Sequence, residues 1–272
     1  MHKKLLHKGD IVEFFHRHVV PIYFDFEKNG EHTCFLITSF VLSVYDQWFL
    51  VTAGHCIEDI EKLKTHGYTL RKCRLIDSMG AGAEHWFPIP FGWDSAAPTK
   101  MCYDEAYDYG LIFLDDNIVE LLQSNSIIPM AEPTWDKEPS KPEFYALIGV
   151  PDELSKSDKD LAKITTTWHI VDELPERPAA FQPTDAPTFW GRIRLTNELD
   201  SIVGMSGGPI FSFGYDSDGN LRYWLHAVQS RWIKSEKVVA ACLMQPMARF
   251  LKEVLEGKHR DKYESKGHMG SE

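Results

Sequence analysis

The chain has 272 residues, 43% of them apolar, and a formal charge of −11 with histidines neutral. A chain of this length and composition buries a sizeable core, as one large or two small β domains, which excludes wholesale disorder. Its acidic balance excludes the basic footprint of a nucleic-acid binder, so no nucleic-acid partner is expected. In chain order, residues 1–10 are basic without the apolar run of a signal peptide. Residues 10–24 read as a short helix or coil, then a strand. Asn29-Gly30 is the pair favoured in tight hairpins. Strands are expected over 34–44 and 47–52. Asp46 and Gln47 split that apolar region, which favours buried strands over a membrane span. Ile57, Ile60 and Leu63 predict one or two helical turns, and 68–76 and 85–90 weak strands. Gly80-Ala81-Gly82-Ala83 is a loop with no following helix to make it a phosphate cradle.

Further on, 116–123 reads as a short helix. Residues 129–142 carry proline and charge and form the linker between two halves. Strands are expected over 144–151, 163–171, 190–195, 210–213, 221–228 and 238–243, with a charged stretch at 152–162 and a four-proline loop at 173–188. Asp216 to Asn220 has a passing likeness to a calcium loop, but without its downstream glutamate it reads as a plain hairpin. Met247, Phe250, Leu251, Val254 and Leu255 make one helical stripe, ended by Gly257. A polar, disordered tail is expected from 258 to 272. The five cysteines (Cys34, Cys56, Cys73, Cys102 and Cys242) are odd in number and lack metal-ligand spacing. Free thiols in a cytoplasmic protein, with no metal or cofactor, account for them most simply.

Three stretches carry chemistry. In Gly204-Met205-Ser206-Gly207-Gly208-Pro209, glycines let the backbone fold tightly around a serine, aiming the N–H groups of Gly204 and Ser206 at one point as an anion-binding nest. Trp48 to Cys56 is an apolar strand that ends in Thr52-Ala53-Gly54-His55-Cys56. Asp108 opens the apolar run Tyr109 to Leu114. A serine hydroxyl needs a base and a prearranged site for developing negative charge. These stretches could supply both. Asp104, Asp115 and Asp116 are the rival carboxylates, but only Asp108 directly precedes the apolar strand.

The three motifs, in the order His, Asp, Ser and separated by 53 and 98 residues, resemble those of the chymotrypsin/trypsin-type serine proteases. The resemblance implies an all-β fold of two antiparallel β-barrels with a C-terminal helix. The expected division is a first barrel over 1–128, a linker over 129–141, and a second barrel with the helix over 142–257. The site would lie between the barrels, with Ser206 as nucleophile, His55 as base, Asp108 orienting it, and Gly204 and Ser206 as oxyanion donors. It also implies a protein or peptide substrate cleaved through an acyl-enzyme. Extracellular relatives pair the cysteine after the histidine with one just upstream, and Cys34 lies too far back for that pattern. Met205 stands where the digestive branch has an aspartate that pairs with a newly cut N-terminus. Activity independent of clipping follows, a feature of bacterial heat-shock-type relatives. Restraint would then come from a disordered oxyanion loop, a regulatory partner or narrow specificity. Asp200 sits at the offset of the trypsin pocket floor, which implies a preference for Arg or Lys. Ser230 is the candidate pocket wall for substrate backbone. Two features leave specificity open: Arg231 could fill the pocket and neutralise Asp200, and Asp200 could be a plain surface residue. A catalytically silent scaffold and an esterase are the other readings of the same motifs.

Overall fold

The computed structural model describes residues 14–77, 88–96, 99–101, 107–136, 141–157, 162–184, 186–196, 199–216 and 218–257. The Gly80 to Ala83 loop, Cys102, Asp104 and the 258–272 tail fall outside them. In the first half, β1 (Ile22–Lys28), β2 (Glu31–Ile37), β3 (Phe40–Val44) and β4 (Gln47–Ala53) lead into helix α1 (Gly54–Thr65). Then come β5 (Thr69–Leu75), β6 (Ile89–Pro90), β7 (Thr99–Met101), β8 (Tyr109–Phe113) and α2 (Asp116–Ser124). Ile22, Phe24 and Phe26 alternate along β1 into one apolar cluster, as a period of two requires. Asn29 and Gly30 both take positive φ, 54° and 85°, and so build the expected tight hairpin between β1 and β2.

The stretch read as one strand over 34–44 is two, because Thr38 and Ser39 break it. There the chain passes from the sheet β2-β1-β5-β6 to the sheet β3-β4-β8-β7. Among the described residues the first half is two four-stranded sheets, and closure into the expected first barrel is not shown. α1 is also longer than the one or two turns expected. Its apolar stripe is sparse, but Lys62 pairs with Glu58 and Asp59, and Lys64 with Glu61, along the exposed face.

The second half comprises β9 (Phe144–Gly149), the short hairpin β10 (Lys156–Ser157) and β11 (Ala162–Lys163), β12 (Thr167–Glu173), β13 (Thr188–Ile193), β14 (Pro209–Tyr215), β15 (Leu221–Ile233) and β16 (Val238–Leu243). Six of these close into an antiparallel barrel in the order β12-β13-β16-β15-β14-β9. Asp216 carboxylate oxygens accept from the amides of Asp218 and Asn220 and from Arg222, so this loop is a self-capped hairpin.

Helix α3 (Met244–Leu255) buries Met244, Met247, Ala248 and Leu251. They enter a cluster drawn from both halves, with Phe40 and Leu42 on one side and Phe211 and Val228 on the other. The helix thus seals the seam as well as packing on the barrel. Val254 and Leu255, expected in its apolar stripe, are exposed. The expected linker is partly anchored too: Trp135 is buried and its indole donates to the Ser43 carbonyl at 3.4 Å. No described helix is long and apolar enough to cross a membrane.

Candidate active site

Strand register brings the histidine and the aspartate together. β4 pairs antiparallel with β8, Ala53 opposite Tyr109. The residues just past the end of β4 therefore lie beside the residue just before β8. Gly54 N–H donates to the Asp108 carbonyl at 3.1 Å, and His55 N–H donates to Asp108 Oδ1 at 2.7 Å. Ala53, at the N-cap of α1, offers no side-chain acceptor, so the Asp108 carboxylate caps the helix from a neighbouring strand. Its other oxygen, Oδ2, accepts from His55 Nδ1 at 2.6 Å.

The Asp108 side chain is 9% exposed and that of His55 36%. Burial works against the charge on each. For Asp108 the His55 hydrogen bond and charge, with the Ser230 hydroxyl and the His55 amide, outweigh burial and hold the carboxyl below its ordinary value. For His55 the bond to Asp108, helped by the neighbouring Cys56, outweighs burial and raises the imidazole. Of the rival aspartates, Asp115 is occupied in capping α2, accepting from Ile118 N–H at 3.0 Å, and Asp116 opens that helix.

Ser206 comes from the turn before β14. Gly207 and Gly208 pair with Gln229 on β15 at 2.8 and 2.9 Å, which fixes this turn to the barrel. Gly207 has φ +88°, and a Cβ there would strike Thr52 Oγ1 and the Thr38 carbonyl of the first half. Only glycine lets the turn pass so close. Upstream, Met205 N–H donates to Ile202 O at 3.0 Å, and Gly204 has φ +90°, the third position of a type II turn. The N–H groups of Gly204 and Ser206 donate to no protein acceptor in the described structure.

Ser206 shares a cleft of about 460 Å³ with His55, Cys56 and Gly204, walled by Phe35 to Ile37 on β2 and by Ile60 and Leu63 on α1. Its hydroxyl donates to the Ser230 carbonyl at 3.4 Å. Ser230 was read as a pocket wall. It is buried, sits at a β-bulge between Gln229 and Arg231, and its hydroxyl donates to Asp108 Oδ2 at 2.5 Å. The bulge turns that side chain toward the carboxylate.

Asp200 is not brought into the cleft. It is exposed, and its amide, with that of Ser201, donates to Glu153 Oε2 at 3.1 and 2.9 Å. Arg231 lies over the Phe181 ring, 5.6 Å from its centroid. Met205 is fully buried among apolar residues of the barrel. Cys34, Cys56, Cys73 and Cys242 form no disulfide. Sequence reasoning missed Thr38 and Asp152, which bound the Ser206 turn. The one available signal was the polar pair Thr38-Ser39 inside an apolar run.

Over 92% of this chain and 98% of the other, the fold superposes on a scabies mite inactivated protease paralogue, S-I1, with a TM-score of 0.55 and 15% identity. The fold is that of the trypsin-like serine proteases. More distant are the thermostable serine protease AL20 of an extremophilic microorganism (TM-score 0.47, 15% identity, 84% and 91% covered) and the Rv3671c protease of M. tuberculosis (0.45, 15%, 89% and 82%). No family model and no curated protein matches the sequence. At such identities the likeness speaks for the fold alone. The His–Asp–Ser arrangement itself supports hydrolase chemistry.

Proposed function

We propose that this chain is a serine endopeptidase acting through His55, Asp108 and Ser206. Ser206 Oγ attacks the carbonyl of a bound peptide as His55 takes its proton, and the tetrahedral oxyanion is received by the N–H groups of Gly204 and Ser206. The imidazolium then protonates the leaving amine, and water repeats the sequence on the acyl-enzyme. Asp108 holds Nδ1 protonated, which leaves Nε2 for the serine. The observation that carries this reading is the Asp108–His55 hydrogen bond facing, across one cleft, a serine flanked by two unpartnered amides. The reading keeps the division into two barrel halves, an intracellular setting and a bacterial type of protease as expectations. The Arg or Lys preference gains no support from the exposed Asp200.

A second reading, a silent peptide-binding scaffold, has one observation in its favour: the Ser206 hydroxyl bonds the Ser230 carbonyl and not His55. Such bonds often tighten only with substrate bound. A fluorophosphonate probe separates the two. Labelling at Ser206, lost in Ser206→Ala and strongly reduced in His55→Ala, with peptide hydrolysis lost alongside, is the expected result. An unlabelled wild-type protein would establish the scaffold instead.

A further inference from the structure

The nest of two free amides exists only if the peptide between Val203 and Gly204 is turned one way. Types I and II of a four-residue turn differ by a flip of this central peptide, and the flip would carry the Gly204 N–H away from Ser206. In the digestive relatives an ion pair at the residue before the serine organises this region. Here that residue is Met205, buried and apolar, so the turn must be held by other means. Two carbonyls on either side of the Gly204 N–H are tied down. Val203 O accepts from Asp152 N–H at 2.9 Å, and Gly204 O accepts from Thr38 Oγ1 at 2.8 Å. Thr38 Oγ1 in turn accepts from Val150 N–H at 3.0 Å. The Thr38 carbonyl is fixed as well, by Thr52 Oγ1 at 2.8 Å.

Thr38 is fully buried at the corner where β2 becomes β3. One hydroxyl thus joins the first half, the end of β9 and the turn that carries the nucleophile. A single O–H both donates and accepts here, which a threonine or serine can do and a valine of the same shape cannot. We infer that Thr38 is a positioning residue, which clamps the Val203-Gly204 turn in its oxyanion-binding form and takes the place of a terminal ion pair. Thr38 touches no substrate, and this role rests on the hydrolase reading of Ser206. It also answers the question of a disordered oxyanion loop, since the loop is tied on both sides.

The test compares Thr38→Val with Thr38→Ser in the full chain. For a cleaved peptide, Thr38→Val should lower kcat by about 10²-fold per titrated active site, comparable to removing one oxyanion donor, with KM little changed. Thr38→Ser should restore kcat to within a few-fold. Amide hydrogen exchange over residues 202–208 should rise in Thr38→Val and return in Thr38→Ser, and this readout needs no activity. Equal kcat and equal exchange in all three proteins would overturn the clamp while leaving the protease reading intact. A wild-type protein without hydrolysis would defeat the protease reading, and the exchange data would still decide the clamp.

Discussion

The two halves solve the same problem differently. The second half closes six strands into a barrel, so every strand of that barrel finds a partner on both sides. The first half leaves two four-stranded sheets joined at the Thr38-Ser39 corner. The site draws on the strength of each. His55 and Asp108 are brought together by one strand pair, β4 with β8, plus the start of α1, so their mutual register is set within the first half, and Ser230 of the second half adds a donor to the carboxylate. Ser206 needs a turn whose flanks are pinned from outside, by Asp152 and Gln229 of its own half and by Thr38 of the opposite half. Chemistry that depends on local register should therefore survive changes at the seam, and chemistry that depends on the turn should not.

The largest expected effect lies within the first half. Asp108→Asn keeps the size of the side chain but disturbs the tautomer and charge support of His55, and kcat should fall by about 10⁴-fold. Steady-state kinetics on any cleaved peptide measures it, and a loss under tenfold would break the assignment of Asp108. Next comes the seam. Gly207→Ala puts a Cβ against Thr52 Oγ1 and the Thr38 carbonyl, at a φ that alanine adopts poorly. It should lower stability by about 1–3 kcal/mol and reduce Ser206 labelling further than this destabilisation explains. Thermal melts with active-site titration separate the two effects. Unchanged labelling would mean that the seam does not govern the turn.

The smallest effect is on pH dependence. Only neutral His55 can accept the serine proton, and the bond to Asp108 raises the imidazole above its ordinary value. The acid limb of kcat/KM should accordingly lie above pH ~6.5. The same shift makes the pair a source of stability below pH ~6.5, which is lost as pH rises through the folded value. Ser230→Ala removes one donor to the Asp108 carboxylate and should change the limb by a fraction of a pH unit. A limb below 6 in the wild type would contradict the coupling.

Several features were legible without coordinates. The spacing of apolar residues marked most of the strands, and Asn29-Gly30 marked its hairpin because both residues tolerate positive φ. The motif around Ser206 pointed to a tight turn, and Gly204 and Gly207 take the positive φ that such a turn needs. Specificity was not legible. Asp200 lies six positions before Ser206, but an offset along a chain does not say which way a loop faces, and here Glu153 binds the loop on the surface. The hydroxyl of Ser230, at the bulge in β15, donates to the Asp108 carboxylate, a contact between the two halves that no spacing along the chain announces.

By itself, the sequence determined which groups could react and which segments could be strands, since both follow from residue type and short-range periodicity. Tertiary structure alone decided how those segments assembled: among the described residues, a six-stranded barrel, two four-stranded sheets, and a helix across the seam. It alone brought Thr38, 166 residues from Gly204, to the carbonyl that it holds. A hydrogen bond of that kind depends on the packing of two sheets and a barrel, and no short-range pattern encodes the distance between them.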